Sequence, residues 1–258
     1  MKQSILFLLV VLLISGCGRS NVEIKVTETQ SLPIVLATNT TFPTETPLPL
    51  PSSTQFATLE PEKIIFQDNF TASLNLGWQW LNEDSANWSL QNSPGFLQIN
   101  VGKGYLNLGN ASNILLIPAP EGNFEIETRL TFADRSTPHF TGLLLYESGE
   151  NFIQAGHAYC KPLNRCVGTG IYFEEYSQGK LLQEPYIAQK YNQESVSLRL
   201  VYKDGVLTFL SSPNGLAWYR ISESNVKFNI LHVGLIAGQN SKDPSPVLFD
   251  YFKVKALK

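Results

Sequence analysis

Charge is scarce in this chain. Asp, Glu, Lys and Arg make up 16% of 258 residues, and the formal net charge is −3. No stripe of Lys and Arg exists to hold phosphates, which argues against a nucleic-acid partner. Methionine occurs once and cysteine three times. Three cysteines cannot build a disulfide scaffold, so a hydrophobic core must hold the fold. Helical periodicity is also missing beyond two turns, whereas 18 glycines and 15 prolines favour strands and turns. Missing as well are a G-x-S-x-G elbow, a P-loop and a dinucleotide fingerprint. His139, His157 and His232 stand in separate segments without zinc-ligand spacing.

What is present divides into three parts. Residues 1–16 begin Met1-Lys2-Gln3-Ser4, and an unbroken apolar run follows from Ile5 to Ile14. That run is too short to span a bilayer and suits the core of a signal peptide. The next residues, Ile14-Ser15-Gly16-Cys17, resemble a bacterial lipobox. The resemblance implies lipidation of Cys17, and a mature chain held outside the cytoplasm by acyl chains on the cell membrane. Residues 17–62 are rich in Thr, Pro and Ser, as in Thr46-Pro47-Leu48-Pro49-Leu50-Pro51-Ser52. Proline removes amide donors and fixes φ, so an extended linker is expected here. Residues 63–258 change character, with short apolar or alternating runs between turn signals.

Twelve strands are expected, at 63–68, 88–91, 96–101, 113–117, 124–132, 140–147, 151–159, 168–176, 195–203, 206–211, 231–237 and 247–255. Lys203-Asp204-Gly205 between two apolar runs is the sharpest hairpin signal. The pattern predicts an all-β sandwich of two sheets rather than two domains.

Several segments then carry a likeness. They include Leu76-Gly77-Trp78-Gln79-Trp80, Trp88-Ser89-Leu90, Gly122-Asn123-Phe124-Glu125-Ile126-Glu127, Gly142-Leu143-Leu144-Leu145-Tyr146 and Phe249-Asp250-Tyr251-Phe252. In that order they resemble the concanavalin A-like domain at the C-terminus of family-43 β-xylosidases. The resemblance implies a concanavalin A-like jelly roll of two antiparallel sheets. In fused family members the catalytic residues lie in another domain, so a non-catalytic role is implied.

The concanavalin-like fold also hosts glycosidases. Similar endo-β-glucanases carry E-x-D-x-E on one strand, with alternate residues facing one cleft. Here Glu125 and Glu127 are followed by Arg129. A neighbouring cation lowers a carboxyl pKa, whereas a general acid needs a raised one. The expectation is a solvated strand face with a Glu–Arg pair, and no catalytic residue is assigned.

The leading function is therefore carbohydrate binding. Aromatic faces stack on the C–H side of a sugar, and amides and carboxylates read its hydroxyls. Trp80, at an expected loop start, Tyr146 and Tyr172 are the ring candidates, with Gln154, His157 and Glu174 as polar readers. Trp88, Trp218 and Phe252 are expected in packing. Glu174 and Glu175 should point to opposite faces of one strand. Cys160 and Cys166 flank a five-residue loop. Outside the cytoplasm this favours a disulfide worth about 2 kcal/mol, with two buried thiols the alternative. Asp68 and Asp250 would meet if the terminal strands pair, offering oxygen donors for a structural calcium. The expected partner is a glycan or polysaccharide. The alternatives are a module docking another cell-envelope protein and a weak glycoside hydrolase using Glu125 and Glu127.

Overall fold

A computed structural model describes residues 63–132, 139–159, 168–182, 187–238 and 245–258. The signal segment, Cys17, the linker and the Cys160–Cys166 pair lie outside the described residues. Sixteen strands occur among those described, beginning with β1 (Lys63–Asp68), β2 (Gln79–Leu81), β3 (Trp88–Ser89), β4 (Leu97–Val101) and β5 (Ile114–Pro118). The long central strands follow: β6 (Phe124–Phe132), β7 (His139–Ser148), β8 (Asn151–Tyr159) and β9 (Gly170–Ser177). Two short ones, β10 (Lys180–Leu181) and β11 (Ile187–Lys190), precede β12 (Ser195–Lys203) and β13 (Val206–Ser212). The series ends with β14 (Tyr219–Asn225), β15 (His232–Gly238) and β16 (Ser245–Ala256).

The strands form two eight-stranded antiparallel sheets. Sheet I has the order β14-β13-β12-β6-β16-β4-β3, with β1 beside β16. Sheet II has the order β10-β9-β8-β7-β15-β5-β2, with β11 beside β9. The expected two-sheet sandwich is what the chain forms. The expected hairpin is also present, with Lys203 opposite Val206 and Asp204 and Gly205 at φ 51° and 84°. Both values are what a two-residue turn with the right twist requires.

Alternation builds the core. Along β6, Phe124, Ile126, Leu130 and Phe132 face the space between the sheets, and Glu125 and Glu127 face away. Sheet II is buried on both sides. Leu143, Leu145, Ile153 and Ala155 point into the main core, whereas Leu144, Phe152 and Ala158 join a second cluster on the outer side. The segment 102–113 lies over that outer side, contributing Leu106 and Ala111. This two-sided burial shows in β7, β8 and β9, where buried positions run almost without a break instead of alternating.

Neighbouring strands come unusually close in this sheet. A Cβ on Gly142 would sit 2.2 Å from the Ala155 carbonyl oxygen, and one on Gly156 2.0 Å from that of Thr141. Gly142 and Gly156 face each other across the β7–β8 ladder. Glycine is what permits this approach. Among the described residues no helix is long and apolar enough to cross a membrane.

Candidate functional site

The outer face of sheet I carries the two acids considered for catalysis. Glu127 is 5% exposed and Glu125 6%, so this part of the strand is buried rather than solvated as expected. Their partner is not Arg129. Arg199, on β12, donates to Glu127 Oε2 from Nε at 2.9 Å and from Nη2 at 2.5 Å. Tyr251 OH and Lys253 Nζ, on β16, donate to Glu127 Oε1 at 2.6 and 3.0 Å. Arg199 Nε and Lys255 Nζ also lie 3.2 Å from Glu125 Oε1, near enough for ion pairing, although that oxygen accepts no aligned hydrogen bond.

Burial alone would raise the Glu127 pKa, but the bonds from Tyr251, Arg199 and Lys253 outweigh it and hold the carboxyl below its ordinary value. A proton donor for glycoside hydrolysis needs the opposite shift. The Trp218 ring covers the same guanidinium, with its centroid 3.9 Å from Arg199 Cζ. Trp218 was expected in packing, and it packs half-buried on this ion cluster.

The outer face of sheet II gathers four of the six carbohydrate candidates. Tyr146 on β7, Gln154 on β8, and Tyr172 and Glu174 on β9 all project to that side, as their ladder pairings and the outer cluster require. Gln154 Nε2 donates to Glu174 Oε2, and Gln154 Oε1 has no hydrogen-bond partner among the described residues. Gln154, Glu174 and Tyr172 are 0%, 4% and 6% exposed, so they form the floor of the face. Burial and the Glu174 charge push the Tyr172 hydroxyl up to about 12. It donates to the Gly168 carbonyl at 2.9 Å.

The reachable part is the rim beside this floor. Tyr146 and Tyr176 are half-buried. Tyr176 stacks on Phe152 at 4.6 Å and 16°, and Tyr146 stands 6.4 Å from the His232 ring. Tyr176 was not among the ring candidates expected from the sequence. Its position four residues after Tyr172 on one strand was the available signal.

Trp80 and His157 do not join this face. Trp80 belongs to β2 rather than to a loop, packs against the main core and lies 4.9 Å from the Trp88 ring. His157, three residues from Gln154, points to the opposite side of β8. It contacts the Phe132 ring at 4.6 Å and lies 3.3 Å from the Tyr191 carbonyl oxygen through Nε2. Trp88 and Phe252 pack as expected. Glu175 takes the side opposite to Glu174 and accepts from Ser224 Oγ at 2.5 Å.

The terminal strands do pair, with Asp68 opposite Phe252 and Asp250 at the register shift of β16. The Asp68 carboxylate accepts from Phe70 N, Asn75 N and Trp78 Nε1 at 2.9, 2.8 and 2.9 Å. Three N–H groups aimed at it hold the loop after β1. Among the described residues no group of three or more His, Cys, Asp or Glu is placed to hold a metal ion.

Two stacked antiparallel sheets in this order make the chain a concanavalin A-like jelly-roll protein. Residues 67–255 match the family described as the beta xylosidase C-terminal concanavalin A-like domain, and the chain belongs to that family. No curated protein matches it. Among solved structures it is similar to the GH43 protein BlXynB of Bacillus licheniformis, with 20% identity and a TM-score of 0.64 over 74% of this chain and 39% of that one. The xylan beta-1,4-xylosidase of Bacillus halodurans gives 21%, 0.61, 76% and 39%. A Bacillus licheniformis beta-glucanase gives 9% and 0.53, covering 76% of this chain and 99% of that one. The chain thus spans 39% of the length of the first two. At these identities the likeness is one of fold.

Proposed function

We propose that this chain is a lipoprotein that binds a polysaccharide without cleaving it. The lipid on Cys17 holds it to the outside of the cell membrane, and the linker lets the sandwich reach its ligand. The rim of sheet II carries the reading. Tyr146, with His232 beside it, and Tyr176, stacked on Phe152, offer ring surface to a sugar. The ionised, cation-paired Glu127 supports a binding role over hydrolysis. A xylan-type ligand is favoured because a relative of this fold is named a xylan beta-1,4-xylosidase.

Affinity electrophoresis of the full chain in gels containing xylan, arabinan or β-glucan tests this. Retardation on xylan is expected, with Tyr146→Ala weakening it about tenfold, the effect of one aromatic contact. In cells, Cys17→Ser should move the chain out of the membrane fraction. Unretarded migration of folded protein in every gel would overturn the reading.

A further inference from the structure

One end of the sandwich holds the β7–β8, β9–β10 and β12–β13 turns, and there the connection 226–230 crosses from β14 in sheet I to β15 in sheet II. It borders two depressions, of about 410 Å³ and about 340 Å³, each within the range of small-molecule sites. Phe228 and Asn229 line both. The two depressions therefore share a border at Phe228 and Asn229 and together make one trough; the half-buried Phe228 also packs against the main core.

The polar groups of the trough are already oriented. In the larger half, Asn151 Nδ2 and Asn229 N donate to the two oxygens of Glu147 at 2.6 and 3.2 Å. Asn151 Oδ1 accepts from Gln178 N at 2.8 Å and so steadies a residue held at φ 53°. In the smaller half, Asn123 accepts from Asp204 N at 2.9 Å and donates to Asp204 Oδ1 at 3.3 Å. Lys227 is exposed and has no carboxylate within ion-pair reach among the described residues.

This lining selects a class of ligand. Two carboxylates and one ammonium, set among amides, give no field strong enough for a phosphate or a polycation. A neutral molecule dense in hydroxyls would use every group. Its O–H donors would meet the spare lone pairs of Glu147 and Asp204, and its oxygens would accept from Lys227 and the amides. Its C–H face would lie on Phe228.

We propose that the trough is a carbohydrate subsite for a short neutral oligosaccharide lying across Phe228. The proposal rests on the glycan-binding reading for its ligand class and adds a place separate from Tyr146 and Tyr176.

Titration of the ¹⁵N-labelled full chain with xylobiose, arabinobiose and cellobiose tests it. Saturable amide shifts are expected at Glu147, Gln178, Lys227 and Asn229 with at least one sugar. Lys227→Ala, at an exposed position that leaves the packing untouched, should weaken that binding about tenfold, as for one hydrogen bond to a charged donor. Phe228→Leu, which keeps an apolar side chain, should weaken it by a similar factor. Saturable shifts confined to the Tyr146 and Tyr176 rim, or an affinity unchanged by both variants, would overturn the trough and leave the rim reading standing. No saturable shift with any of the three sugars, together with unretarded migration on every polysaccharide, would overturn both.

Discussion

A carboxylate ringed by Tyr251, Arg199 and Lys253 keeps its charge at pH values where an exposed one has begun to take up a proton. For Glu127 the sign is fixed by this pairing: its folded pKa lies below the ordinary 4.5. It therefore stabilises the fold above that value, and the contribution fades as pH falls through the lowered folded pKa. Glu127→Gln removes the charge but keeps the shape, leaving Arg199 and Lys253 crowded around a neutral amide. A loss of about 3 kcal/mol is expected in urea unfolding at pH 7, the scale for breaking one partner of a buried pair. The gap between variant and parent should narrow below pH 4, and an equal gap at both pH values would refute the pairing. The strand itself was readable, since period two places Glu125 and Glu127 together. The cations were not, because Arg199 and Lys253 lie 72 and 126 positions from Glu127 in the chain. Arg129, two positions away, was the only partner that local pattern offered.

Among elements, long buried strands were the most readable, and the short, mostly exposed β1 also has its expected bounds. β6, β8 and β12 have the expected bounds because apolar residues or strict alternation run to their ends. β14 was missed: Tyr-Arg-Ile-Ser-Glu-Ser-Asn is polar and mostly exposed, as suits a strand at the edge of sheet I. β2 was missed because it has three residues, and Trp80 was consequently read as a loop residue. His157 is different, for alternation alone separates it from Gln154. The Gly142–Gly156 contact was also hidden, since nothing in a single strand reveals how closely its neighbour will lie. Gly142→Ala should cost about 3 kcal/mol or more by forcing strands apart. Gly205→Ala, where an added Cβ meets nothing within 4 Å, should cost only about 1 kcal/mol for its positive φ. Equal losses in thermal or urea unfolding would show that the close approach is not what glycine serves.

At the scale of the molecule, one sandwich offers three surfaces with different chemistry. The outer face of sheet I locks its acids to cations. The outer face of sheet II buries Gln154 and Glu174 and leaves an aromatic rim. The end crossed by 226–230 is an amide-rich trough. Fold class was legible from turn spacing and alternation, and the floor-and-rim division was not. Sequence pattern says that Tyr172 and Glu174 share a face, but it does not say that Gln154 joins them or that segment 102–113 packs over that side. The role proposed for this chain is recognition without a reactive acid. Incubating the full chain with insoluble xylan, and measuring both the bound fraction and the reducing ends released, tests it most directly. Retention on the polymer is expected, with no release above the buffer blank. Release that disappears when Glu125→Gln and Glu127→Gln are combined would contradict it.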